Sequence, residues 1–334
     1  MEQTIPVIDL VELCSEDPSI RQSSVRALGD ALVEYGFVAV DNHGVDPKAL
    51  QGTYDGIRRF FELPSELKSQ YELRRLGRQR GYTPFGKEKA KDSAQGDLKE
   101  FWHVGPELAE DDPLHGRIPA NVWPAEIPEF RPSALELWRS LHDCGAVLLR
   151  GIAEYLGAPE KIFDEMTDGG NSVLRLIRYP EAEPEIHDEN AVWAAAHEDI
   201  NLITLLVEAT DPGLELLTRE GEWLPIMPVP GQLIMDTGDM MQRLTNGRIP
   251  ATTHRVRMPE VVTGPRYSIP FFIHPHPDAS LRPLDCCRDA ATVDEPALSA
   301  EEYLAQRLRD NGVLTVDIDV DWLSGKTIDE DLDE

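Results

Sequence analysis

His197-Glu198-Asp199-Ile200-Asn201-Leu202-Ile203-Thr204-Leu205-Leu206 is the stretch on which the fold turns. Its second half is an apolar run of strand length, and its first half sets two metal-donor side chains two positions apart. On a strand, residues i and i+2 share a face, so His197 and Asp199 are expected to converge while Glu198 points away. A third donor is expected from another strand across a barrel, at His254 in Thr253-His254-Arg255-Val256. Two imidazoles and one carboxylate can hold a divalent iron on one face and leave the opposite positions open. Arg266-Tyr267-Ser268 follows, with period two again placing Arg266 and Ser268 together, and an arginine inside a barrel is costly unless an anion meets it.

Triplets of the form His-x-acid also arise by chance, and the chain has two more, His187-Asp188-Glu189 and His276-Pro277-Asp278. The first lies among Glu181, Pro184, Glu185 and Asn190, which reads as exposed loop. The second follows a proline-interrupted strand end and has no histidine after it. Only the triplet at 197 runs directly into a core strand. Pattern alone leaves open that His197 and His254 are ordinary polar strand residues satisfied by their neighbours.

Outward from this stretch, residues 171–274 break into short segments with turns between them. The expected strands are 173–179, 191–197, 200–207, 214–218, 223–227, 232–236, 252–258 and 266–273. Turns such as Asp211-Pro212-Gly213 and Asn246-Gly247 separate them. Eight such strands point to a sandwich or barrel, most simply a jelly roll, so the fold class is mainly β with flanking helices. Before it, Ile5-Pro6-Val7-Ile8-Asp9 and Phe37-Val38-Ala39-Val40 read as strands around a helix opened by Asp17-Pro18 and closed by Gly36. Asp46-Pro47 opens another helix, residues 74–130 read as mostly loop with short elements, and Ser133 is expected to cap a long helix ending at Gly157. Ser299-Ala300-Glu301-Glu302 has the form of a capping box. The division expected is an N-terminal α/β region at 1–130, helical support at 131–170, a jelly-roll core at 171–275, and a C-terminal helix with an acidic tail at 276–334.

Composition excludes some roles. Lys and Arg total 32 against 61 Asp and Glu, a formal charge of −29, which speaks against nucleic-acid binding. The cysteines, Cys14, Cys144, Cys286 and Cys287, have no zinc spacing and fit reduced thiols, hence a cytoplasmic setting. Met1-Glu2-Gln3-Thr4 lacks a basic segment followed by an apolar run, so no secretory signal is expected, and no run approaches the ~18 apolar residues of a membrane span. The partner expected is a small molecule, with the chain a monomer or weak homo-oligomer.

Taken together, these residues resemble the isopenicillin N synthase-like branch of the Fe(II)/2-oxoglutarate-dependent dioxygenases. The likeness rests on Gly36-Phe37-Val38-Ala39-Val40, Asn42-His43-Gly44-Val45, Phe60-Phe61-Glu62-Leu63-Pro64 and Arg80-Gly81-Tyr82, then on His197-x-Asp199, Gly238-Asp239, His254-Arg255-Val256 and Arg266-x-Ser268. The resemblance implies a double-stranded β-helix with Fe(II) on His197, Asp199 and His254. It implies 2-oxoglutarate with its far carboxylate on Arg266, Ser268 and Tyr179, and O2 as oxidant of a small molecule, leaving succinate and CO2. Asp97-Leu98-Lys99-Glu100-Phe101-Trp102-His103 then borders the pocket, with His103 read as structural. Ile177 departs from the plant members, which carry Asn there, and resembles isopenicillin N synthase itself. That enzyme uses no 2-oxoglutarate, and its pair corresponding to Arg266 and Ser268 holds a substrate carboxylate. Aligning on Asn311-Gly312 puts Val313 where that synthase has a glutamine ligand. The competing expectations are an oxidase that needs only O2 and substrate, and a jelly-roll binding protein without chemistry. No HExxH-like arrangement supports a zinc hydrolase.

Overall fold

The computed structural model describes residues 5–87, 99–181, 192–207, 210, 212–227, 229–258, 264–289 and 297–310. The triplet at 187, Asp97, Leu98, Val313 and the acidic tail lie outside them. The N-terminal part runs β1 (Val7–Asp9), α1 (Leu10–Leu13), α2 (Pro18–Tyr35), β2 (Phe37–Asp41), α3 (Pro47–Phe61), α4 (Ser65–Lys68), β3 (Gly81–Thr83) and β4 (Glu100–Val104). Two helices follow, α5 (Phe130–Leu156) and α6 (Ile162–Thr167). The core comprises β5 (Val173–Tyr179), β6 (Val192–His197), β7 (Ile203–Val207), β8 (Leu214–Leu217), β9 (Trp223–Pro225), β10 (Leu233–Thr237), α7 (Asp239–Leu244), β11 (His254–Arg257) and β12 (Arg266–Ile273). Helix α8 (Ala300–Asp310) comes last among the described residues.

Two sheets face each other. One has the order β1-β2-β10-β7-β12-β5-β4-β3 and the other β6-β11-β8-β9. The eight strands expected between 171 and 275 are all present and form the double-stranded β-helix, four in each sheet. The segment 74–130, expected to be mostly loop with short elements, contributes the short strands β3 and β4 to the larger sheet, and β1 and β2 extend its other end. Among the described strands only β1 and β2 pair in parallel.

Alternation divides the larger sheet into two faces. Val38, Trp102, Leu176, Leu205, Met235 and Phe271 point outward and pack in one cluster with Leu28, Ile57, Leu141 and Leu148 of α2, α3 and α5. Burying each such side chain is worth about 1.5–3 kcal/mol, so this layer carries much of the stability. The inward face splits into two smaller clusters. Phe37, Ala39 and Ile234 meet Leu214, Leu216 and Leu224 at one end. Phe101, Ile177 and Tyr179 meet Trp193, Ala194 and Val256 at the other.

Local signals act as their chemistry dictates. Asp17 accepts the Ser19 N–H at 2.8 Å and Pro18 occupies the first turn of α2, while Gly36 closes it at φ 64°. Ser299 and Glu302 cap α8 reciprocally, at 2.8 and 3.2 Å. Ser133 is not the cap of α5: the helix begins at Phe130, and the Ser133 hydroxyl donates back to the Glu129 carbonyl at 3.3 Å. Pro132 is tolerated in that first turn because its missing N–H would have no partner there, and the fully buried Phe130 pins the start edge-on to Trp102 and Trp123.

Candidate metal centre and co-substrate clamp

His197 closes β6, and His254 opens β11 directly opposite it in the antiparallel register. The two histidines therefore sit on adjacent strands of the smaller sheet, not across the barrel, with ring centroids 4.4 Å apart. Asp199 corrects the period-two expectation as well. Strand β6 ends at His197, so Asp199 reaches the site from the turn that follows. That turn is clamped from below. The Asp239 N–H donates to the Asp199 carbonyl at 2.8 Å, and the Met240 N–H to Asn201 at 3.0 Å. Gly238 makes this approach possible, since a Cβ there would lie 2.3 Å from Asn201 Oδ1 and 2.7 Å from the Asp199 carbonyl oxygen.

The donor atoms converge. His197 Nε2 and His254 Nε2 lie 3.7 and 3.8 Å from Asp199 Oδ1, and all three donors fall within 4.8 Å of one another. Each His–Asp separation is less than twice a metal–donor bond of about 2.1 Å, so one ion can bridge either pair. Both Nδ1 atoms face main-chain carbonyls, that of Ala195 at 2.7 Å and that of Thr252 at 3.1 Å. A proton on each Nδ1 leaves the Nε2 lone pairs aimed at the common point, the arrangement that orients metal-binding histidines. Burial, then the neighbouring His254, lowers His197 to about 4, so its ring is neutral at pH 7. Burial would raise the Asp199 carboxyl, but His254, His197 and the Thr204 hydroxyl outweigh it and hold the carboxyl below its ordinary value. The donor set thus suits a divalent cation.

Reading the sequence does not single out the support beneath Asp199. Thr204 on β7 donates its hydroxyl to Asp199 Oδ2, and Asn201 Nδ2 donates to Thr204 Oγ1 at 2.8 Å. Beside them on β10, Asp236 is 5% exposed, and its Oδ2 accepts no hydrogen bond among the described residues. Burial, then Asp199, pushes its carboxyl well above the usual range. The only available signal was a lone carboxylate in Leu233-Ile234-Met235-Asp236.

Arg266 and Ser268 are both buried on the inward face of β12, 1% and 4% exposed, paired in register with Tyr179 and Ile177 of β5. The Arg266 guanidinium carbon lies 5.0 Å from the centre of the Tyr179 ring and 5.9 Å from that of Trp193. Tyr179 stacks on Trp193 at 5.3 Å. Trp193, also missed in the sequence, thus walls the cation from the opposite sheet. The segment before β5 divides by face: Phe101 belongs to the inner cluster, and Trp102 to the helical layer. His276 and Asp278 stand apart at the surface, where Asp278 pairs with Arg117 at 2.5 Å.

Residues 5–126 match the model of the non-haem dioxygenase in morphine synthesis N-terminal region, and residues 170–275 that of the 2OG-Fe(II) oxygenase superfamily. A 2-oxoglutarate-Fe(II) type oxidoreductase of Emericella nidulans is 30% identical over 90% of this chain and 88% of its own length. Among solved structures, a 2OG-Fe(II) oxygenase family protein from Caulobacter crescentus is 40% identical with a TM-score of 0.82, covering 92% of this chain and 98% of that one. A full-length Neurospora crassa protein, in complex with alpha-KG and thymine, is 26% identical with a TM-score of 0.80, covering 91% of this chain and 96% of that one.

Proposed function

The chain belongs to the 2OG-Fe(II) oxygenase superfamily, an Fe(II)/2-oxoglutarate-dependent dioxygenase, and on that premise we propose which of its residues carry the reaction and on what it acts. His197, Asp199 and His254 hold the iron. Arg266, Ser268 and Tyr179 hold the far carboxylate of 2-oxoglutarate. Bound Fe(II) supplies the site at which O2 oxidises the substrate as 2-oxoglutarate gives succinate and CO2.

The observation that carries this reading is the grouping of the two Nε2 atoms around Asp199 Oδ1, at 3.7 and 3.8 Å, so that all three can face one ion. The protein's part is positional. Carbonyls of Ala195 and Thr252 fix the rings, Thr204 fixes the carboxylate, and Gly238 lets the turn close. Arg266 presents a planar fork to a carboxylate in a dry pocket, where a charge-assisted two-point contact is strongest. Tyr179 and Trp193 keep water from that contact. The primary substrate is a small molecule, in keeping with the thymine bound by the Neurospora crassa protein. The enzyme works in the cytoplasm as a monomer or weak homo-oligomer, without nucleic acid or membrane; among the described residues no helix is long and apolar enough to cross a bilayer.

Substitution tests the roles separately. His197→Ala and Asp199→Ala lose iron in anaerobic equilibrium dialysis and lose succinate formation with it. Arg266→Ala retains iron but raises the 2-oxoglutarate concentration for half-maximal turnover by about 10- to 100-fold, the loss of one charge-assisted contact. Normal iron stoichiometry in Asp199→Ala, or an unchanged 2-oxoglutarate requirement in Arg266→Ala, overturns the corresponding role.

A further inference from the structure

We infer that Arg307, on the C-terminal helix α8, is a positioning residue for the metal site: it neutralises the Asp239 and Glu198 carboxylates, which stand together behind the turn that presents Asp199. This rests on the iron reading above and extends it from the ligands to what holds them.

Glu198 lies between two of the ligands in sequence but is not among the three donors that converge. Its Oε1 accepts from the Thr253 hydroxyl at 3.1 Å, and Thr253 immediately precedes His254. Asp239 stands beside Glu198 and gives its own N–H to the Asp199 carbonyl at 2.8 Å. One pair of carboxylates is thus joined, through short stretches of main chain, to all three ligands. The join has little slack. A Cβ on Gly238 would lie 2.6 Å from the Asn201 carbonyl oxygen, so the two segments already meet closer than any side chain permits.

Two carboxylates at this range repel each other, and more strongly where water is scarce. Burial raises the Asp239 carboxyl to about 6; Arg307 opposes that rise, and Glu198 adds to it by charge and by a hydrogen bond. Asp239 is 5% exposed, and Arg307 reaches it from the last turn of α8, with Nη2 2.8 Å from Asp239 Oδ2. Without that cation the two carboxylates move apart. Asp239 then draws its N–H away from the Asp199 carbonyl, Glu198 pulls on the backbone between His197 and Asp199, and the three donors no longer face one point. A field effect alone has the opposite sign, because removing a positive charge near Fe(II) tightens its binding. The direction of the change therefore separates positioning from electrostatics.

The probe is Fe(II) itself, bound anaerobically to metal-free protein and followed by equilibrium dialysis. Arg307→Met, which keeps the stem and removes the charge, weakens Fe(II) about 10-fold, the low end for loss of a partner behind a metal ligand. Arg307→Lys recovers part of that loss. Adding Glu198→Gln to Arg307→Met takes away one of the repelling charges, leaves an oxygen for Thr253, and restores most of the affinity; a field effect would weaken Fe(II) further. The visible absorption of Co(II)-loaded protein, which reports donor geometry, changes in Arg307→Met and returns toward wild type in the double variant. Urea midpoints of the metal-free proteins report that each is folded. Where Arg307→Met does not fold, Arg307→Lys must bind Fe(II) several-fold more weakly than wild type and Glu198→Gln must restore it. Unchanged or tighter Fe(II) binding in the Arg307 variants, or no recovery on adding Glu198→Gln, overturns the assignment while leaving the iron reading intact. A wild-type protein that takes up no Fe(II) instead removes the reading on which it rests.

Discussion

At the scale of single residues, the carboxyl of Asp236 makes a prediction independent of turnover. Burial and then Asp199 raise it well above an unfolded aspartate, whose value is about 3.9. A group raised on folding contributes stability that is full below the unfolded value and lost as pH climbs through the folded one. Metal-free protein is therefore expected to lose stability as pH rises above about 4 through this group. Asp236→Asn, of the same shape and never charged, flattens that slope and gains on the wild type as pH rises. Urea midpoints of both proteins at pH 5 and pH 8 test this; equal slopes would refute it. The same position shows where residue-level reading stops. His197, His254, Arg266 and Ser268 were legible because their types and spacings are chemically unusual for strands. Asp199 was legible too, but for the wrong geometric reason, since a turn and not a strand face presents it. Thr204 looked like the polar member of ordinary alternation, and only the turn that follows β6 reveals that it holds Asp199.

At the scale of elements, the exchange from α2 to β2 depends on one residue. Gly36 is left-handed at φ 64°, and a Cβ there would lie 2.1 Å from Thr252 Oγ1, whose hydroxyl donates to the Tyr35 carbonyl at 2.8 Å. Its own carbonyl accepts from the Thr237 N–H at 3.1 Å, tying the turn to β10. Gly36→Ala is expected to lower stability by about 1–3 kcal/mol, from left-handed strain and the clash together, read as a shift in urea midpoint at constant slope. Caps and glycines made α2, α3 and α8 visible in the sequence because those signals are local. Strand β4 was not visible for the opposite reason. Glu100 is fully buried, and among the described residues its carboxylate is met by Lys68, Tyr82 and Arg178 from segments distant in sequence, at 2.8, 2.6 and 2.8 Å. The apolar Phe101, Trp102 and Val104 of β4 are interrupted by the buried polar Glu100 and His103, so the strand carries no clean alternation.

For the molecule as a whole, the larger sheet runs past its four core strands at both ends. Strand β2 pairs along β10 and β4 along β5, from Leu233↔Val40 to Val104↔Leu174. Residues 170–275, matched on their own by a family model, therefore leave two strand borders bare when cut out. Exposed hydrogen-bonding borders of that kind invite other chains to pair with them. Such a fragment should come out of expression as inclusion bodies or self-associated species, detectable by light scattering, whereas the uncut chain stays dispersed. The residues up to Val104 are, in effect, the selvedge of the fabric: they keep the weave from fraying or stitching itself to its neighbour. Transplanting the oxygenase into a fusion would therefore have to carry them along.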